Sequence, residues 1–204
     1  MSDIGAMTAV AQARNIITMM DNTYATPLYL KPLDHGVDVS IHASTKYPAG
    51  HSDLVFGTVS ANAKNWKALH NSMLHTGVCA QGDDAYQVLR GMRTMGLRLE
   101  RHEATALALA QWLEGEAGGG RVMHPALPSH PGHDLWKRDF KGSSGLFSFV
   151  MPGAEQKQVD AFLDALEIFG LGYSWAGFAS LSVPVTLEDR TVAKRDYGGP
   201  VIRL

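Results

Sequence analysis

Apolar residues recur at two different periods along this chain, and the change from one to the other marks out its elements. Ile4, Met7 and Val10 are spaced three apart within residues 2–13, which predicts a short amphipathic helix with Ser2 as its N-cap. The unbroken apolar run "IITMM" (16–20) has strand length and the composition of a strand covered on both faces of a parallel sheet, and it stops abruptly at "DNT". Two prolines in "TPLYLKPLDHG" mark a connection. Val37, Val39, Ile41 and Ala43 then alternate with Asp38, Ser40 and His42, the two-residue period of a strand that runs directly into Ser44, Thr45 and Lys46.

A helical region around "NAKNWKALHNSML" leads to "GDDAYQVLRGMRTMGLRLERHEATALALAQWLEGEAGGG", where an acidic start and a triple-glycine stop frame one long helix. Gly91 and Gly96 lie inside it and cost about 1 kcal/mol each relative to alanine, which predicts a kink, a close packing contact or a hinge there. Beyond it "LFSFVM" (146–151) reads as a strand, "EQKQVDAFLDALEIFG" (155–170) as an amphipathic helix, and the terminal "VIRL" as a strand. The pattern predicts a domain boundary near the long helix, with a small α+β unit after it. A chain that stops within an apolar strand is expected to be a fragment.

Composition narrows the function classes. With 45% hydrophobic residues, 19% charged residues and a net charge of −2, the 204-residue chain has a soluble globular profile and lacks the basic surface of a nucleic-acid binder. No apolar run is long enough to span a bilayer, so neither nucleic acid nor membrane is expected as a partner. The single cysteine, Cys79, excludes an internal disulfide framework and fits a reducing, cytoplasmic setting; it reads as a packed or idle thiol.

Ligands of open α/β sheets sit outside the carboxyl ends of the strands, which is where Asp21, Asn22 and Thr23 fall, and Lys46 follows a second strand end. A desolvated lysine loses its proton readily and becomes a nucleophile suited to Schiff-base chemistry, and neighbouring hydroxyls can hold an anion such as phosphate. That constellation fits pyridoxal phosphate, whose ring nitrogen needs an acid partner. At ~4 Å and an effective dielectric of ~20, a carboxylate such as Asp21 attracts a pyridinium by about 4 kcal/mol, roughly three pKa units. On spacing alone the same residues also read as a helix cap and a solvated loop lysine. His124, His130 and His133 in "HPALPSHPGH" lie among prolines and glycine and read as a solvated loop without the ligand set of a metal site. "GHSD" sets a His, a Ser and an Asp side by side, unlike the separately supplied members of a catalytic triad, and His51 and Ser52 read as turn residues near the cofactor.

"DNTYATPLYLKPLDHGVDVSIHASTKYPAGHSDLVFGTV" resembles the core of the Cys/Met-metabolism family of pyridoxal-phosphate enzymes, with its ordered Asp-Asn-Thr, Thr-Lys-Tyr and Gly-His-Ser-Asp motifs. "RGMRTMGLRLERH" (90–102) resembles the family's Arg-Gly-Leu-Lys-Thr-Leu helix, and "HPALPSHPGHDLWKRDFKGSSGLFSFVM" with "GYSWAGF" resembles the bacterial cystathionine β-lyase branch. The resemblance implies a fold-type I α/β architecture: residues 1–95 as the C-terminal part of the large mixed-sheet cofactor domain, residues 96–204 as a truncated small domain. It implies Lys46 as the Schiff-base lysine and catalytic base, Asp21 on the ring nitrogen, and Thr45 at the phosphate with Ser44 beside it. Arg203 is implied to take the substrate α-carboxylate, a task suited to its bidentate fork, while Tyr173, Ser174 and Trp175 line the substrate pocket.

The implied activity is β-elimination of L-cystathionine to homocysteine, pyruvate and ammonia, in methionine biosynthesis and transsulfuration. A γ-lyase or γ-synthase of the same family, and a non-catalytic truncated product, are the alternatives. The chain departs from the family at Ala43, where many relatives carry serine, at Ala176, usually glycine, and at Ala179, usually glutamate. The family's ring-stacking tyrosine, glycine-containing phosphate loop and Tyr/Arg pair lie upstream of the aspartate in longer chains. Their absence here predicts little activity for the isolated chain. The full-length form is expected to be a homo-oligomer, a dimer of dimers with shared active sites.

Overall fold

The computed structural model describes residues 1–116, 120–187 and 196–204, and its fold is α/β. Two sheets divide it. The first half carries β1 (Met19–Asp21), β2 (Val39–Ala43) and β3 (Gly57–Ala61) in the order β1-β2-β3, with β1 parallel and β3 antiparallel to β2. The second half carries β4 (Val122–Met123), β5 (Ser148–Val150), β6 (Gly170–Leu171), β7 (Leu181–Val185) and β8 (Val201–Arg203) in the order β4-β5-β8-β7-β6.

The N-terminal helix, α1 (Ile4–Gln12), is capped by Asp3 rather than Ser2: the Asp3 carboxylate accepts from the Ala6 N–H at 3.1 Å. Its buried face is Ile4 and Thr8, one turn apart, while Met7 and Val10 are exposed. The Thr8 hydroxyl reaches the His35 carbonyl at 2.9 Å, so a polar contact decides which face turns inward. The run at 16–20 is shifted and uncovered in the structure. The strand begins at Met19, and Ile16, Ile17 and Met19 are exposed, because β1 is an edge strand paired only with β2 among the described residues. On β2 the alternation also breaks, since His42 is buried and Ile41 exposed.

The connection with two prolines holds a short helix, α2 (Thr26–Tyr29), and a 3-10 turn at Pro32–His35. Next comes α3 (Ala63–Thr76), which starts where the Asn62 side chain accepts from the Asn65 N–H and stops at left-handed Gly77. The expected single long helix is two, α4 (Gly82–Met92) and α5 (Met95–Glu116), broken at residues 93–94. The two glycines differ in why they are there. A Cβ on Gly91 would overlap the Pro48 and Ala49 carbonyl oxygens, whereas one on Gly96 would meet only Leu28 Cδ1, at 4.0 Å. Of the triple glycine that should stop this helix, residues 118–119 lie outside the described residues.

After β4 come α6 (His133–Asp139) and α7 (Gln156–Asp164). The latter opens with a reciprocal capping box between Glu155 and Gln158 and ends six residues before the periodicity suggests. The core of this half gathers Val122, Leu127, Phe147, Phe149, Val159 and Ile202 against Ala106 and Ala110 of α5. His124 belongs to this interior rather than to a solvated loop: it is fully buried, its ring edge-on to Phe147 at 5.6 Å, and burial drives its pKa down to about 4. Cys79, in contrast, is exposed and not packed.

Candidate active site

The site is built outward from β2. At its head, Asp38 accepts hydrogen bonds from the Thr18 N–H and hydroxyl and from the Asn62 and Asn65 side-chain amides, which together hold its carboxyl below the usual range. This ties β1, β3 and the start of α3 to one carboxylate. At its tail, residues 44–49 leave the sheet in tight turns, with Lys46 N–H bonded to the Ala43 carbonyl at 3.0 Å and Gly50 N–H to the Lys46 carbonyl at 2.7 Å.

Both hydroxyls before the lysine are already engaged. Thr45 Oγ1 accepts from the Phe56 N–H at 2.8 Å and donates to the Phe56 carbonyl at 3.2 Å. Ser44, buried, pairs its hydroxyl with that of Thr58 at 3.0 Å. To donate to an anion, Thr45 must turn its single hydroxyl hydrogen away from Phe56.

Lys46 extends toward the second half of the chain, where its Nζ donates to Ser174 Oγ at 3.0 Å and lies 5.3 Å from the centroid of the Trp175 ring. Burial lowers the lysine pKa, and the nearby charge of Arg203 lowers it further. Arg203 projects from β8, an interior strand hydrogen-bonded to β5 and β7, and its guanidinium donates to the Tyr173 carbonyl at 2.5 Å. A cleft of about 520 Å³ opens beside these groups, lined by Tyr47, His51, His102, Trp175, Phe178 and Arg203 among others. Lys46, Tyr173, Ser174, Trp175 and Arg203, 157 positions apart at the extremes (203 − 46), thus form one cluster.

Asp21, Thr45 and Ser44 are outside that cluster. Asp21 ends β1, accepts from the Thr23 N–H at 2.8 Å through Oδ1, and borders a separate cavity of about 250 Å³ with Ile4, Met20, Asn22 and Phe140. Its other carboxylate oxygen has no hydrogen bond among the described residues. Burial lowers the pKa of His42 against the opposing charge of Asp21, and its Nε2 is buried with no hydrogen-bond partner among the described residues. His51 and Ser52 are turn residues, with His51 Nδ1 2.6 Å from the Ala49 carbonyl and Ser52 at positive φ. Among the described residues no group of three metal-ligating side chains occurs, and no helix is long and apolar enough to cross a membrane.

Sequence reasoning assigned no role to two residues central to this geometry. Tyr47, next to the lysine, is fully buried; its hydroxyl accepts from the Gly145 N–H at 3.0 Å and its ring is edge-on to Trp175 and His102. Arg98 donates through Nη2 to the Tyr47 and Gly91 carbonyls, both at 2.8 Å. The detectable signal was Arg98 itself, a cation one position before Leu99 on a helix whose Met95 and Leu99 form a buried stripe.

Residues 1–197 match the family model described as Cys/Met metabolism PLP-dependent enzyme. Among curated proteins, the chain is 62% identical to a putative cystathionine beta-lyase of Rhizobium johnstonii over 208 residues, covering 100% of this chain and 52% of that protein. It is 44% identical to an L-alanine/L-glutamate racemase of Wolbachia pipientis over 206 residues, covering 100% of this chain and 51% of that one. Among solved structures, cystathionine gamma synthase from Xanthomonas oryzae pv. oryzae in complex with aminoacrylate and cysteine superposes with a TM-score of 0.89 at 34% identity, over 100% of this chain and 54% of its own. The chain spans about half the length of the curated relatives it matches.

Proposed function

Because the chain belongs to the Cys/Met-metabolism family of PLP-dependent enzymes, we propose that it supplies the lysine and carboxylate-binding half of a carbon–sulfur lyase that splits L-cystathionine by β-elimination. The observation that carries this reading is the meeting of Lys46 Nζ with Ser174, Trp175 and Arg203, which puts a base of lowered pKa beside a carboxylate receptor. The putative β-lyase of Rhizobium johnstonii, 62% identical, supports the choice of reaction.

The residues suit the cofactor. Lys46 would hold it at the aldehyde carbon. Asp21, with a carboxylate oxygen to spare, would hold the proton on the ring nitrogen, which lies para to that carbon. Two groups at opposite ends of one ring have no reason to touch, in keeping with the separate positions of Asp21 and Lys46. Thr45 would contact the phosphate after redirecting its hydroxyl from Phe56, with Ser44 behind it.

When bound, the cofactor supplies the electron sink that stabilises negative charge at the substrate α-carbon. Arg203 binds the α-carboxylate and so orients the Cα–H bond, with Tyr173, Ser174 and Trp175 shaping the pocket around it. Lys46, its amine favoured in the neutral form by burial and by Arg203, takes the α-proton and returns it later. Cystathionine plus water then gives homocysteine, pyruvate and ammonia. We assign residues 1–95 to the cofactor domain and 96–204 to the small domain. The full-length protein would act as a dimer of dimers on a small amino-acid substrate in the cytoplasm, a reducing setting that accords with the lone Cys79.

Mixing the chain with pyridoxal phosphate tests the anchor: a visible Schiff-base band is expected, and Lys46→Ala should abolish it. A band that survives the substitution refutes Lys46. Incubating the holo-protein with L-cystathionine tests the reaction. Pyruvate supports β-elimination, whereas 2-oxobutyrate identifies a γ-lyase. D-alanine formed from L-alanine without pyruvate from cystathionine identifies a racemase.

A further inference from the structure

The turn that carries Lys46 is held from one side by Thr45 against Phe56, one residue before β3, and its other side faces the break between α4 and α5. There Arg98 Nη2 donates to the Tyr47 carbonyl at 2.8 Å, to the Gly91 carbonyl at 2.8 Å and, more weakly, to the Pro48 carbonyl at 3.4 Å, while Nε donates to Thr94 Oγ1 at 3.2 Å. Nη1 is buried with no hydrogen-bond partner among the described residues, and Gly50, at φ +73°, covers it: any Cβ there would overlap the guanidinium. The ion pairs among the described residues join Arg138 to Asp3 and Asp139, and none involves Arg98.

Arg98 is half-buried, but its Nη1 is cut off from water and its fork meets only neutral acceptors, a costly placement that is tolerated where it satisfies several main-chain carbonyls at once. A lysine ammonium at the same position lacks the planar fork that spans two strands of backbone. The charged and titratable groups around the pair are few. Tyr47 and His102 face Arg98, and Arg203 faces Lys46 across Ser174 and Trp175.

We infer that Arg98 is a positioning residue for Lys46: by fixing the Tyr47 and Pro48 carbonyls to the α4–α5 break, it holds the lysine amine in the Ser174–Trp175–Arg203 cluster. The inference rests on the lyase reading for its catalytic meaning, but its geometry stands without the cofactor. Arg98 lines the cleft but makes no hydrogen bond to the lysine amine among the described residues, and it acts through the backbone of the turn.

The test uses the full 204-residue chain. Acylation of Lys46 by acetic anhydride across a pH series, measured by mass spectrometry against exposed Lys67, reports the titration of the amine. In Arg98→Met the Lys46 midpoint should rise by about one pH unit as the amine gains water, and amides 46–50 should exchange roughly tenfold faster, with β5 and β8 unchanged. Arg98→Lys keeps the charge but not the fork and should follow Arg98→Met. Gly50→Ala drives the native guanidinium off its seat and should do the same, which provides an independent route if one variant fails to fold. A midpoint and exchange rate within about twofold of the unsubstituted chain in folded Arg98→Met and Gly50→Ala overturns the inference. Added pyridoxal phosphate separates the two readings. A shifted titration with no Lys46-dependent band in the unsubstituted chain upholds Arg98 and refutes the cofactor reading; the band with an unshifted titration does the reverse.

Discussion

Gly91 and Gly96 lie five residues apart, and the structure predicts that alanine has opposite effects at the two. At Gly96, on the first turn of α5, the nearest atom to a new Cβ is Leu28 Cδ1 at 4.0 Å, an ordinary contact, so the gain in helix propensity goes unopposed. Alanine there should stabilise by up to about 1 kcal/mol. At Gly91 the new methyl would overlap two main-chain oxygens and lie 2.9 Å from the Ala49 carbonyl carbon. No rotamer change relieves a clash with backbone, so either α4 or the turn that follows Lys46 must move, at about 1–3 kcal/mol less the propensity gain. The two variants should therefore differ by roughly 1–3 kcal/mol. With a urea m-value of about 2–3 kcal/mol per molar, that is a separation on the order of 1 M between their unfolding midpoints. Far-UV circular dichroism and tryptophan fluorescence, followed together in urea, measure it and check that the transitions coincide. Gly91→Ala as stable as Gly96→Ala would refute the claim that the helix break is shaped by the backbone of the lysine turn.

Two further outcomes are expected. His124, with a folded pKa of about 4 against about 6.5 unfolded, stabilises the fold fully above pH 6.5 and loses that contribution as pH falls toward 4, at most about 3 kcal/mol. His124→Asn should flatten the urea midpoint across that window, leaving the smaller slope due to His42 and His102, whose pKa values burial also lowers; an unchanged slope would rule His124 out. Tyr47→Phe keeps the ring against Trp175 and His102 but removes the acceptor of the half-buried Gly145 N–H, costing about 0.5–1.5 kcal/mol. A loss under about 0.5 kcal/mol in the same unfolding experiment would mean that the amide finds another partner.

Local periodicity located β2, β5, β8 and most helices, although the face it implied is not always the buried one: on β2 His42 is buried and Ile41 exposed, and α3 buries no residue. It overlooked β3, "GTVSA", whose small and polar residues are mostly exposed and carry little alternation. It misjudged 16–20 because an apolar run predicts coverage without saying what covers it, and β1 has one neighbour here. His124 looked solvated among prolines, yet it is fully buried with its ring against Phe147, 23 positions on (147 − 124). At the site, Lys46 was picked out by an ordered motif and Arg203 by a separate resemblance to a family arginine, and the structure brings the two into one cluster. What holds them was not legible: the contacts of Arg98 with Tyr47 and of Tyr47 with Gly145 join positions 51 and 98 apart, and no short window contains them.

The insertion of β8 between β5 and β7 also sets an order of events in folding. Ser148 pairs with Arg203 and Val150 with Val201, so the middle of the second sheet stays open until residues 201–203 have left the ribosome. Such late, long-range pairing makes for slow closure, and until then β5 and β7 present unpaired edges to other chains. The segment that brings Arg203 into the cluster with Lys46 is therefore also the one that shields the nascent sheet from aggregation, and a ribosome stalled short of Val201 would release a chain deficient in both respects.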